Sequence, residues 1–337
     1  MNLKNLKILV TGADGFIGSH LTERLVDIGA NVKALSFYNA YNSIGWLDDI
    51  DKKIRNNIEI VNGDIRDIEF ISRASHKVDI IFHLAALISI PYSYITPRSF
   101  IDTNVLGTLN ILEAAKKATC SRIIFTSTSE VYGTAKTIPI TEDHELQAQS
   151  PYSASKIAGD HLIDSFVRSF NMPAVILRPF NTYGPRQSEK AVIPSIIRQI
   201  IDPNILNISM GNLNTQRDFN YVSDTVEAFI KLAEADHDSI EFGRAYNSGT
   251  GIAVKISDVL EKVIELSKSD KKLIQDKARV RPDKSEVELL LASSEKLKSI
   301  TDWSPKVKID EGLKLTLDWW KEVLDKKGIR NNSNYAI

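Results

Sequence analysis

Lys7-Ile-Leu-Val-Thr11-Gly12-Ala-Asp-Gly15-Phe16-Ile17-Gly18 decides the architecture of this 337-residue chain. A short β-branched run gives way to three glycines spaced three apart, then to a segment in which Ile17, Leu21, Leu25 and Ile28 fall on one helical face. Strand, glycine turn and helix together read as a phosphate site. Gly12 and Gly15 let the backbone turn and approach a pyrophosphate closely, while Gly18 lets the helix pack on the strand. The helix N-terminus offers unpaired N–H groups and a partial positive charge to the anion. The spacing is G-x-x-G-x-x-G rather than G-x-G-x-x-G.

Outward from this turn the pattern repeats. Residues 31–35, 58–61, 78–83, 122–126 and 174–177 read as further strands, and 96–118 and 153–170 as helices. This alternation predicts an α/β fold, a doubly wound parallel sheet of Rossmann type with a smaller C-terminal substrate-binding lobe. Residues 1–180 are expected to hold the dinucleotide, residues 181–326 to form the lobe, with a return to the sheet left open, and 327–337 to be a polar tail.

Lys and Arg number 42 against 43 Asp and Glu, a net charge of −1 that excludes a protein coating nucleic acid. Apolar residues are 43% and charged residues 25%, ordinary for a globular chain. No apolar run approaches the roughly 20 residues of a spanning helix. Cys120 is the single cysteine. No Cys/His cluster has zinc spacing, so no metal is expected. The N-terminal segment lacks an apolar core of signal-peptide length, and the protein is expected in the cytoplasm.

The second strand should end on an acid that holds a ribose or an Arg that holds a 2′-phosphate. Here it reads Leu35-Ser36-Phe37-Tyr38-Asn39 and supplies neither, which leaves NAD and NADP both open. Asp64, just past the third strand, sits where an adenine would lie; it could equally cap a helix starting at Ile65 or Arg66. Tyr152 and Lys156 lie four apart and share a helical face. An ammonium and an oxidised nicotinamide beside the phenol would lower its pKa toward a useful base. Thr128, Ser129 and Glu130 follow the fifth strand at its carboxyl end, where open α/β sheets bind ligands; a Ser/Thr-rich turn with a solvated Glu130 is the alternative. His83 reads as packed and hydrogen-bonded, Cys120 as a small buried hydrophobe, and Trp303, Trp319 and Trp320 as core and interface anchors.

With these motifs the chain resembles the extended short-chain dehydrogenase/reductases that act on nucleotide-activated sugars. The resemblance covers roughly residues 5–325. It rests on the glycine loop, Asp64-Ile65, His83-Leu84-Ala85-Ala86, Thr103-Asn104-Val-x-Gly107-Thr108, Tyr152/Lys156, Arg178-Pro-Phe-Asn181, Arg217-Asp218 and Arg281-Pro-Asp283. It implies cofactor contacts from Phe16, Ile17, Ile65, Leu84, Ala85 and Ala86, and substrate contacts from Thr128, Asn181, Arg217 and Arg281. Arg217 beside Asp218 could instead be a surface ion pair, and Arg281 a loop charge. Glu130 is similar to the glutamate of 4,6-dehydratases and uronate decarboxylases, whereas simple C4 epimerases carry no acid there. Further segments, Phe37 to Asp48 and Ile90 to Tyr94, are similar to LegB-type dehydratases of legionaminic acid pathways. The resemblance therefore implies a homodimer that carries recycled NAD and dehydrates a UDP- or GDP-linked N-acetylglucosamine. A C4 epimerase, a uronate decarboxylase and a non-catalytic NAD(P)-binding protein are the competing expectations.

Overall fold

The computed structural model describes residues 1–276 and 286–327. Six strands come first: β1 (Lys7–Thr11), β2 (Asn31–Phe37), β3 (Ile58–Gly63), β4 (Ile80–His83), β5 (Arg122–Thr126) and β6 (Ala174–Pro179). The chain continues through β7 (Asn181–Tyr183), β8 (Asn207–Met210), β9 (Gln216–Tyr221), β10 (Ala245–Ser248), β11 (Ala253–Lys255), β12 (Lys272–Gln275) and β13 (Leu289–Leu290). Seven of them form one parallel sheet in the order β10-β6-β5-β4-β1-β2-β3.

The period-2 alternation of a strand sorts its residues to two faces, and here both are buried. Ile8, Val10, Ile80, Phe82, Ile124, Val175 and Leu177 join one core, with Leu21 and Leu25 of helix Phe16–Ile28 and Phe229 of helix Val222–Glu234. Leu9, Ile81, Ile123, Phe125, Ala174 and Ile176 join the other, with Ile111 of helix Gly107–Ala118 and Ile163 of helix Pro151–Phe170. The sheet is doubly wound, as the sequence predicts.

The second half does not stay apart from the first. Helix Val222–Glu234 covers one face of the large sheet, and β10 pairs with β6, so residues 222–248 complete the architecture begun before residue 180. What is left outside that sheet is small. β7, β11 and β13 all pair with β9, and β8 pairs with β12. Residues 328–337 lie outside the described residues.

Two elements differ from expectation. The predicted helix 96–118 is a short α-turn, Pro97–Phe100, then a π-helical stretch, Ile101–Leu106, then Gly107–Ala118. π-turns often mark functional sites because they re-aim side chains within a helix. The helix expected from residue 153 begins at Pro151, with Ser150 accepting the Ser153 N–H and the Ser153 hydroxyl bonding back to the backbone N–H of Ser150. It ends at Asn171 in the left-handed conformation, two residues before Pro173.

Gly18 shows why the first turn needs its glycines. A Cβ there would sit 2.0 Å from the Gly12 carbonyl oxygen, against 3.2 Å for a Cβ on Gly15. Gly18→Ala should therefore lower stability by about 1–3 kcal/mol. Gly15→Ala should cost distinctly less; urea denaturation of both variants checks the order, and equal midpoints would contradict the close approach.

Candidate active site

The site is assembled at the carboxyl ends of β1, β4 and β5. Gly12 leaves β1 with φ +68°, and a Cβ on it would stand 2.8 Å from the Ala85 N, so the glycine turn and the segment after β4 touch backbone to backbone. The hydroxyl of Thr11 accepts N–H bonds from Leu84 and Ala85, each at 3.1 Å. Gly15 is the N-cap of helix Phe16–Ile28 and makes no side-chain cap bond, which leaves the helix end to an anion. Phe16 and Ile17 begin that helix, and both pack partly buried against the core. A crevice floored by backbone too close for any Cβ fits a pyrophosphate.

At the sheet edge, Gly107 approaches Ile65 so closely that a Cβ would be 2.6 Å from its Cδ1, and the Asn110 side chain donates to the Ile65 carbonyl at 2.9 Å. Asp64 accepts from the Arg66 backbone N–H at 2.9 Å and from Arg66 Nε at 3.0 Å. The guanidinium holds its carboxyl below the usual range. Asp64 is not a helix cap: helix Ile68–Ala74 is capped by Asp67, which accepts from the Phe70 N–H at 3.0 Å.

His83 is buried and bonded on both nitrogens. Thr11 already accepts two N–H bonds, so its own proton goes to His83 Nδ1, 2.8 Å away. His83 Nε2–H then donates to Thr108 Oγ1 at 3.1 Å, and Thr108 donates to the Asn104 carbonyl at 2.6 Å. This chain fixes a neutral imidazole. Burial first, and then the Lys156 charge, pull its pKa down to about 3. Among the described residues no group of three or more His, Cys, Asp or Glu could hold a metal ion.

The candidate catalytic side chains come together. Thr128 caps the 3₁₀ turn Ser129–Tyr132 by accepting the Glu130 N–H at 3.2 Å, and its side chain also shares a hydrogen bond with Tyr152. Ser129 is buried in the same turn, and the Glu130 carboxylate acts on Tyr152 through its field. Lys156 lies one turn beyond Tyr152, its ammonium 4.3 Å from the centroid of the Phe125 ring. Gly159 makes room for that ring, since a Cβ there would be 2.6 Å from Phe125 Cζ.

The expected lowering of the Tyr152 pKa does not hold for the protein by itself. Burial pushes the phenol well above its ordinary value, the Thr128 hydrogen bond offsets only part of this, and Glu130 and Asp160 add to the rise. Tyr152 is therefore a neutral phenol until positive charge arrives. Lys156 is pulled down to about 8, chiefly by burial, with Asp160 opposing.

Two groups of the quoted motifs take supporting roles that the sequence does not state. Asn104, in the π-turn, accepts the Leu87 N–H at 2.8 Å and donates to Leu87 O and Ser155 Oγ at 2.9 Å. It thereby locks the loop after β4 to the Tyr152 helix. Arg178 and Asp160 form a buried ion pair at 2.8 Å, with Arg178 also donating to Tyr132 Oη at 2.9 Å. Asn104 and Arg178 belong to motifs read from the sequence, but their partners lie on other elements, so the motifs alone do not reveal these roles.

Of the substrate candidates, Asn181 opens β7 with its Oδ1 buried and no hydrogen-bond partner. Arg217 is buried in β9 and donates to the carbonyls of Gln216 and Glu288, with Glu286 at 3.4 Å. The Arg217–Asp218 surface pair is corrected: Asp218 is fully buried and accepts from Thr250 N at 2.7 Å, Thr250 Oγ1 at 2.6 Å, Gly251 N at 2.8 Å and Ala292 N at 3.2 Å. Arg281 lies outside the described residues. Cys120 is buried with its thiol pushed up to about 12. Trp303 and Trp320 are buried, and Trp319 packs against Trp46 at 5.4 Å between ring centroids.

A glycine cradle and a Tyr/Lys helix over a seven-stranded parallel sheet define an enzyme of the extended short-chain dehydrogenase/reductase class. The family model described as GDP-mannose 4,6 dehydratase matches residues 9–316, and the chain belongs to that family. It is 31% identical over 325 residues to human dTDP-D-glucose 4,6-dehydratase, covering 94% of this chain and 90% of the relative. It is 32% identical over 323 residues to a putative UDP-glucose 4-epimerase of Methanocaldococcus jannaschii, covering 93% and 98%. The Streptomyces venezuelae dTDP-glucose 4,6-dehydratase, solved with NAD bound, superposes with a TM-score of 0.82 at 25% identity, covering 95% of this chain and 98% of that one.

The histidines make stability pH-dependent. His83 is pulled down to about 3; His20 is pulled down to about 4, by burial first and then by the Arg186 charge, with the hydrogen bond to the Pro185 carbonyl opposing. Both are neutral when folded and take up protons when unfolded below about pH 6.5. The unfolded state then binds more protons, so acidification from pH 7 to 5 should lower the unfolding free energy, with a slope approaching ~2.7 kcal/mol per pH unit from this pair. Urea titrations at pH 7, 6 and 5 measure it, and a flat profile would contradict two neutral buried rings.

Proposed function

We propose that this protein is an NAD-dependent 4,6-dehydratase of a nucleotide-diphosphate sugar, with UDP- or GDP-linked N-acetylglucosamine as the substrate class. The observation that carries this is Glu130, an acid in the turn that also presents Thr128 to Tyr152. An epimerase has no proton to remove from C5.

Bound NAD would accept the hydride from the sugar C4 and return it to C6, so that no net oxidation results. The cradle at Gly12, Gly15 and Gly18, with Leu84, Ala85 and Ala86 facing it, fits its pyrophosphate, and Asp64-Ile65 fits the adenine side. Tyr152 takes the proton of the C4 hydroxyl, with Thr128 bonded to the same oxygen and Lys156 supplying positive charge. The resulting carbonyl acidifies the C5 proton, and Glu130 removes it. Glu130 then gives that proton to the departing C6 oxygen, with Ser129 beside it, and water leaves; as hydride returns to C6, C5 takes a proton from solvent through Glu130 and Tyr152 releases to solvent the one it took from the C4 hydroxyl, which closes the balance. Asn181 and Arg217, with Arg281, are assigned to the nucleotide-diphosphate half.

The same reading makes the protein a homodimer through its two long helices. Ile101 and Leu106 are 45% and 48% exposed on the first, and Phe170 is 46% exposed at the end of the second. Light scattering should return twice the 37.7 kDa chain mass.

Incubation with UDP- and GDP-N-acetylglucosamine should give a product lighter by one water in mass spectra. Unchanged mass with altered stereochemistry means epimerase, and carbon dioxide released from a uronate means decarboxylase. Glu130→Gln should keep its cofactor and lose about 10²–10⁴-fold in deoxy-sugar formation; near-normal turnover would remove Glu130 from the mechanism.

A further inference from the structure

We propose that Asp14, on the glycine turn, is the residue that selects NAD over NADP, an inference that rests on the dinucleotide reading above. Sheets of this type hold the adenosine ribose at the carboxyl end of the second strand, where an acid accepts the 2′-hydroxyl or an Arg receives a 2′-phosphate. β2 ends here in Ser36-Phe37 and carries neither. The fold supplies the acid from elsewhere. Asp14 Oδ2 accepts the Phe37 N–H at 3.0 Å and the Ser36 hydroxyl at 3.3 Å. Ser36 is fully buried, so the end of the strand is capped by a carboxylate that belongs to the turn between Gly12 and Gly15.

The loop after β2 is built onto the same residue. The Asp14 carbonyl accepts the Trp46 N–H at 3.0 Å. Gly45 has φ +60°, and a Cβ on it would stand 2.5 Å from that oxygen. Asp14 is thus held from both sides, with its carboxylate directed at the strand end.

The charge along the loop that follows β2 has one sign. Residues 34–51 contain no Lys or Arg but include Asp48, Asp49 and Asp51, and the next cations in the chain, Lys52 and Lys53, begin the short helix Lys52–Arg55. Lys33 Nζ pairs with Glu59 at 3.3 Å, and Arg66 is held on Asp64. A ribose hydroxyl placed here meets an acceptor. A 2′-phosphate meets the like charge of Asp14, and β2 offers no Arg at its end to balance it; that repulsion supplies the discrimination.

Calorimetric titration of the full-length, nucleotide-stripped protein with NAD⁺ and NADP⁺ tests this without reference to turnover. The wild type should bind NAD⁺ at least tenfold more tightly. Asp14→Asn keeps an acceptor for the Phe37 N–H but removes the charge, and should shrink the Kd ratio at least fivefold, mainly through tighter NADP⁺. The double variant Asp14→Ser with Ser36→Asp moves the acid back to the strand and should restore the preference. An unchanged ratio in Asp14→Asn, or a wild type that favours NADP⁺, would overturn the assignment while leaving the dinucleotide reading intact. A wild type that binds neither nucleotide would overturn that reading itself.

Discussion

One buried guanidinium holds the elements of the candidate site in register. Arg178 and Asp160 are 5% and 4% exposed, and a charge that deep is tolerable only when it is paired and hydrogen-bonded. Arg178 comes from β6 and Asp160 from the helix that carries Tyr152 and Lys156. Tyr132, which ends the Glu130 turn, receives an Arg178 N–H and donates to Asn247 Oδ1 at 2.6 Å. Asn247 belongs to β10, donates from its side chain to Ile140 O at 3.1 Å and from its backbone to Glu142 at 2.7 Å. Removing either member of the ion pair would strand the other, so the Tyr152 helix, the Glu130 turn and β10 are constrained together.

That network explains why no cut near residue 180 separates two independent bodies. β10 is contributed by the second half of the chain, yet it supplies Asn247 to the polar chain and Tyr246 to the same core as β1. The structures that need the first 180 residues to be rigid are finished by residues 222–248. The candidate site and sheet closure therefore depend on each other, and the small set of strands around β9 lies outside that shared framework.

Local signals were legible in the sequence and long-range ones were not. Strand cores such as Ile8–Val10 and Ile123–Phe125 announce themselves by β-branched composition, and the glycine turn by spacing, because each is fixed within a dozen residues. Tyr152 and Lys156 needed only helical geometry. By contrast, Asn104 acts through a π-turn that no period reveals, and Arg178 through a partner on another element. The rise in the Tyr152 pKa was illegible for a related reason: burial is a property of the assembled site, and it sets the direction of the shift. Ser36 read as a missing acid, because an acid delivered from Asp14, 22 residues earlier, leaves no mark on the strand it caps.

Thr128 shows how such a buried phenol can be used at all. Its hydroxyl oxygen accepts the Glu130 N–H, which fixes the oxygen while leaving its single proton free to rotate. Facing a neutral Tyr152, that oxygen can accept the phenolic proton; facing a phenolate, it can turn and donate. The bond therefore survives proton transfer and favours the charged form, as the downward effect of Thr128 on the Tyr152 pKa records. Because the same oxygen caps the turn that presents Glu130, the groups for O4 and for C5 share one anchor. Moving the turn would therefore disturb both the Thr128 contact to Tyr152 and the placement of Glu130.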